Sequence, residues 1–118
     1  MTIHQQIYKR LKEVARSGGL ITYGEIAPLA CLNMENQADR NKIGEILGEI
    51  STYEDSLGHP MLSAIVVLAG IGYPGEGFYN LARSLNLHHG HGEFADLEFF
   101  VNEVKKVHSY WQKPISDK

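Results

Sequence analysis

Two stretches of this chain carry residue types at spacings that chemistry uses. Gly70-Ile71-Gly72-Tyr73-Pro74-Gly75 matches G-x-G-x-x-G, a pattern whose glycines let backbone amides approach a phosphate. It follows an apolar run and precedes a helical one, as a dinucleotide site requires. No second strand follows that helix, however, so the βαβ unit is missing. Pro74 removes an amide, and Glu76 puts negative charge where an anion would sit. The pattern is therefore read first as a tight turn, with Pro74-Gly75 as a type II signal. An anion site at the helix start remains the alternative, because free amides gather there. The second stretch contains His88, His89, His91 and Glu93. Structural zinc sites take four ligands, often cysteines, from ordered elements, whereas these ligands crowd a glycine-flanked loop. That loop reads as exposed and polar. His88, His89 and His91 are the only metal candidates, and no metal or other cofactor is expected.

Nucleophilic chemistry finds less support. Cys31 follows an alanine-containing helix and reads as a small core residue. Ser63 lies within an apolar run, not in a G-x-S-x-G elbow. Glu25, Glu76, His59 and Tyr23 are isolated, with no nucleophile–base or acid–base set among them, so the chain reads as non-enzymatic. A small-molecule or anion site, as one alternative, would lie between the Gly70–Gly77 turn and Glu25 or His59, with Tyr73, Gly75 and Glu76 taking part.

The elements that must position these residues follow from hydrophobic spacing. Ile3, Ile7, Leu11 and Val14 predict a helix over 3–16, with Thr2 and Gln5 at capping-box spacing and Ser17-Gly18-Gly19 as its stop. Lys9, Arg10, Lys12 and Arg16 cover its outer face. Leu20 to Tyr23 is β-prone and closed by Gly24, and Glu25 to Ala30 forms a short helix. Ile43, Ile46, Leu47, Ile50 and Tyr53 predict a long helix over 38–56, capped by Asn36 or Asp39. Gly44 and Gly48 share one of its faces, and two such costly residues imply that something packs very close: another helix of the chain, or a partner. Leu62 to Leu68 is almost wholly apolar and predicts a strand covered on both faces. Phe78, Leu81, Ala82 and Leu85 give a two-turn helix. A last helix spans 93–111, with Phe94, Leu97, Phe100 or Val101, Val104, His108 and Trp111 on one face, and residues 113–118 read as a frayed tail.

Composition sets the outer bounds. A chain of 118 residues is read as one domain, long enough to bury a core unaided. Its net charge of −3 excludes a global basic field. One cysteine excludes an internal disulfide framework and suits a reducing compartment. With no signal-like or membrane-length apolar run, the expected location is the cytoplasm and no membrane partner is expected.

Residues 3–82 resemble the C-terminal domain of alkylguanine-DNA alkyltransferases and the catalytically inert alkyltransferase-like proteins. The resemblance rests on Ile21-Thr22-Tyr23-Gly24-Glu25-Ile26-Ala27, close to the family's V-T-Y-G-E-I-A. Ala38 to Gly44 stands in the place of the family's recognition helix, and Pro60 precedes an apolar segment where the family has P-C-H-R-V-V. The resemblance implies a winged-helix-like helix-turn-helix that flips a base from the minor groove. Nucleic acid would then be met by Tyr23, Arg40, Asn41 and Lys42. Met61 stands where the alkyl-accepting cysteine would be, and the His-Arg pair is missing, which implies no alkyl transfer. Separately, PMLSAIVV…PGEGFYNLARSL resembles small bacterial proteins, some carried on mobile genetic elements.

The sequence thus predicts a mainly helical α+β domain, about five helices around a minimal sheet, winged-helix-like over its first two-thirds. Its expected role is an interaction module, as a homo-oligomer or with a protein partner. The contact surface would be the exposed side of Phe99 and Tyr110, or the loop at Tyr73 and Glu76. Nucleic-acid binding is the alternative.

Overall fold

Amphipathic spacing at the start of the chain produces α1, Gln5–Ser17, which buries Ile7, Leu11, Val14 and Ala15. The structure, a computed structural model, describes residues 3–112. Thr2 as a cap and the tail at 113–118 lie outside the described residues. The cap observed is His4, whose Nδ1 accepts from the Ile7 amide. Gly18 ends α1 at φ +75°, a conformation that favours glycine.

The β-prone run forms β1 over Ile21–Thr22 only. Thr22 Oγ1 accepts from the Glu25 amide, and Glu25 Oε1 accepts from the Thr22 amide, closing a capping box. Tyr23 and Gly24 therefore open α2, Tyr23–Ile26, and do not close the strand. A 3-10 turn at Ala27–Ala30 follows, ending at Cys31 with φ +59°. Cys31 is exposed, not a core residue, because this left-handed exit turns it out of the fold.

The long helix α3 spans Gln37–Ser56, and Asn36 caps it through Oδ1 to the Asp39 amide. Ile43, Ile46, Leu47 and Ile50 are buried as the spacing predicts. Tyr53 is exposed, and Ser51 and Glu54 turn inward instead.

The apolar run after Pro60 is not one long strand. Leu62–Ile65 is a 3-10 turn, and only Val66–Val67 pairs, as β2, parallel to β1 with Ile21 opposite Val66 and Thr22 opposite Val67. The reason lies in the partners of its amides. Met61 N–H donates to Glu103 Oε2 at 2.8 Å and Ser63 N–H to Ser51 Oγ at 3.0 Å. Helix side chains thus satisfy backbone groups that a longer β1 would otherwise have paired. Met61 to Val67 is nevertheless buried throughout, and α1, α3 and the last helix all pack on it, while Leu68 emerges to solvent.

Two helices complete the fold: α4, Glu76–Ser84, and α5, Glu93–Trp111. The buried face of α5 is Phe100, Glu103 and Val107, rotated from the expected one, so that Phe94 is 82% exposed. The rotation follows from Glu103, drawn inward by the Met61 amide. The architecture is mainly helical α+β, with five α-helices and one two-stranded parallel sheet among the described residues. None of those helices is long and apolar enough to cross a membrane.

Candidate functional site

The N-terminal half of α3 faces α4 across an open groove. Ideal Cβ atoms built on Gly44 and Gly48 meet nothing within 4 Å. The close crossing implied by these glycines is therefore absent; their missing side chains leave room. The groove encloses about 580 Å³. Its walls include Gly44, Leu47 and Gly48 of α3, Leu68, and Phe78 and Leu81 of α4. Its polar lining residues include Gln37, Arg40 and Asn41 of α3, Tyr23 of α2 and Glu76 of α4. Its volume falls within the range of small-molecule clefts.

Local chemistry fixes this geometry. Tyr23 Oη accepts from the Gly75 amide at 2.9 Å, tying α2 to the start of α4. Burial pushes the Tyr23 phenol above its usual range, and the Gly75 bond pulls partly the other way. Gly75 has φ −73°, so Pro74-Gly75 is not a type II turn. The reversal lies earlier, where Gly70 and Gly72 take positive φ and the Leu68 carbonyl accepts from the Ile71 and Gly72 amides. Arg40 donates to the Met34 carbonyl and to Gln37 Oε1, and all three residues line the groove.

The groove thus unites residues expected in two separate sites. Tyr23, Arg40 and Asn41 line it together with Gly75 and Glu76. Lys42 does not line it and pairs with Glu45 on the helix surface. Glu25 is consumed by the capping box, and His59 belongs to a different cluster. Tyr73 lines a neighbouring hollow.

The His59 cluster is internal. Glu54, wholly buried, accepts from Tyr8 Oη at 2.5 Å and pairs with His59 Nδ1 at 3.0 Å. With Nδ1–H directed to that carboxylate, Nε2 accepts from Tyr110 Oη at 2.8 Å. Burial, and then the Glu54 carboxylate, push the Tyr8 phenol well above its usual range. Tyr110 is therefore engaged internally on one side, and Phe99 stacks on His88 and packs against Phe78, and both rings are half-buried.

The histidine loop is not uniformly exposed. His88 is buried, its Nε2 donating to Asp96 Oδ1 at 2.7 Å, while Arg83 donates to the same oxygen at 2.6 Å. Partial burial raises the Asp96 carboxyl, but the His88 bond and the Arg83 charge outweigh it and hold it below its usual range. His89 and His91 stay exposed. Among the described residues no three His, Cys, Asp or Glu side chains are grouped to hold a metal.

Sequence reasoning missed Met34, Gln37 and Leu68 as groove residues. The paired glycines were the available signal, and they mark open space instead of close packing. No protein-family model, no curated protein and no solved structure matches this chain.

Proposed function

We propose that the chain is a non-enzymatic binding module and that the α3–α4 groove is its ligand face, taking a small molecule with an apolar body and a polar end. The supporting observation is that Gly44 and Gly48 leave their Cβ positions empty along an apolar wall, at a cost in helix propensity. A polar ligand group would meet Arg40, Asn41 and the Tyr23 hydroxyl in the groove lining. The test is an NMR screen with neutral aromatic fragments. Shifts should concentrate on the amides of Gly44, Gly48 and residues 75–78, and Gly48→Leu should abolish them while the fold persists. Fragments that cluster elsewhere, or bind Gly48→Leu equally well, would refute the reading.

A second reading is favoured by the same lining. Tyr23, Arg40 and Asn41, the side chains assigned to nucleic acid through the alkyltransferase resemblance, stand together in it. Here the ligand would be an unstacked base of duplex DNA, and Lys42 would contact phosphate. Fluorescence anisotropy against a duplex tests this. Affinity should fall as salt rises, and Lys42→Ala should reduce the log–log salt slope by about one. Binding that ignores salt excludes it.

A further inference from the structure

A second hollow of about 450 Å³ lies between the Tyr73-Pro74 turn, α4 and the first turn of α5. Tyr73, Tyr79 and Phe94 contribute its aromatic rings, and Glu93 and Asp96 its carboxylates. Among the described residues no cationic side chain lines it. Arg83, on α4, directs its guanidinium to Asp96 Oδ1 and the Gly90 carbonyl. The first turn of α5 would favour an anion through its helix dipole, but Glu93 and Asp96 occupy that turn and offset it.

We infer that this hollow binds an alkylated ammonium group, with the three rings as its walls and Glu93 as its counter-charge. Ring faces attract a cation through their quadrupole, and an alkylated ammonium surrenders little hydration on entering. The exposure of Phe94 fits this use. The phenyl ring is 82% in solvent on the first turn of a helix whose core contacts begin at Phe99 and Phe100. Burial, and then the negative field of Asp96, raise the Tyr79 phenol to about 12, and the second of these causes is a carboxylate that lines the hollow.

The probe is choline, titrated against the intact chain and followed by the aromatic NMR signals of Tyr73, Tyr79 and Phe94. The control is 3,3-dimethylbutanol, which has the same shape without the charge. Choline should give saturable shifts at all three rings and bind about tenfold more tightly than the neutral isostere. Phe94→Ala, which removes an exposed ring and leaves the core intact, should weaken choline by a similar factor. Gly48→Leu, which fills the other groove, should leave it unchanged. A third arm carries trimethyllysine in an otherwise neutral peptide. Tighter binding than choline identifies a protein segment as the source of the cation, and equal or weaker binding identifies a free small cation. Equal binding of choline and the isostere, or no saturable shift at these rings, overturns the inference.

Discussion

The two halves of α3 treat polar and apolar groups in opposite ways. The C-terminal half turns Ser51 and Glu54 into the core, where each completes hydrogen bonds to distant segments. The N-terminal half turns two glycines and an apolar edge toward an open groove, with Arg40 and Asn41 in its lining. A carboxylate–histidine pair is thus consumed by architecture at one end. At the other, space is left where a single methyl group would have improved the helix. On the function proposed above, ligand capacity follows unspent surface, not the density of titratable groups. The comparison predicts substitution costs of opposite sign along one helix.

The largest effect is expected at the closed end. His59→Ala leaves the buried Glu54 carboxylate with Tyr8 as its remaining donor. Removing a hydrogen-bond donor from a buried carboxylate costs about 3 kcal/mol. Urea denaturation should show that loss with an unchanged m-value. A loss below about 1 kcal/mol would mean that water reaches Glu54, and the contrast between the halves would fail.

A smaller loss is expected where helix side chains serve the central segment. Ser51→Ala deprives the buried Ser63 amide and hydroxyl of their partner, and Glu103→Leu does the same to the Met61 amide. An orphaned buried donor costs about 2 kcal/mol. The two amides lie two residues apart on one segment, and the double variant should depart from additivity by more than about 0.5 kcal/mol.

These contacts also mark where sequence reading stops. The helices were legible because Ile7, Leu11 and Val14, or Ile43, Leu47 and Ile50, repeat at helical spacing whatever surrounds them. The Leu62–Leu68 run announced burial but not conformation, since an apolar run looks alike as strand or 3-10 turn. Its geometry is decided by Ser51 and Glu103, 12 and 42 residues from the amides they serve. Tyr8 and Glu54 are 46 residues apart, and no local pattern announces the pair. The candidate site was legible in its residue types: Tyr23, Arg40, Asn41, Gly75 and Glu76 were all singled out. That they share one groove depended on how α3 crosses α4, which spacing within either helix does not encode.

The Arg83–Asp96–His88 cluster, at the far end of α4, is half-open and should behave between the two extremes. Asp96 has a lowered folded pKa, so it contributes stability that is present above the ordinary carboxylate range. That contribution is lost as pH falls through the depressed folded value. Acid titration of stability should therefore show a falling limb below about pH 4 that flattens in Asp96→Asn. A wild-type limb unchanged by that substitution would assign acid sensitivity to other carboxylates.

The smallest effect has the opposite sign and is the sharpest test of the comparison. Gly48→Ala adds a methyl group where nothing lies within 4 Å, inside a helix, at a position without positive φ. Alanine exceeds glycine in helix propensity by about 1 kcal/mol. The variant should therefore be more stable than the natural chain, and Gly44→Ala should behave alike, since its Cβ position is equally open. At the closed end of the same helix, every truncation of a buried polar side chain should destabilise. If Gly48→Ala instead lowers stability, the glycine serves a close contact and the groove is not open in solution. If it raises stability while weakening fragment binding, the missing methyl is retained for a ligand, and helix stability has been given up for space.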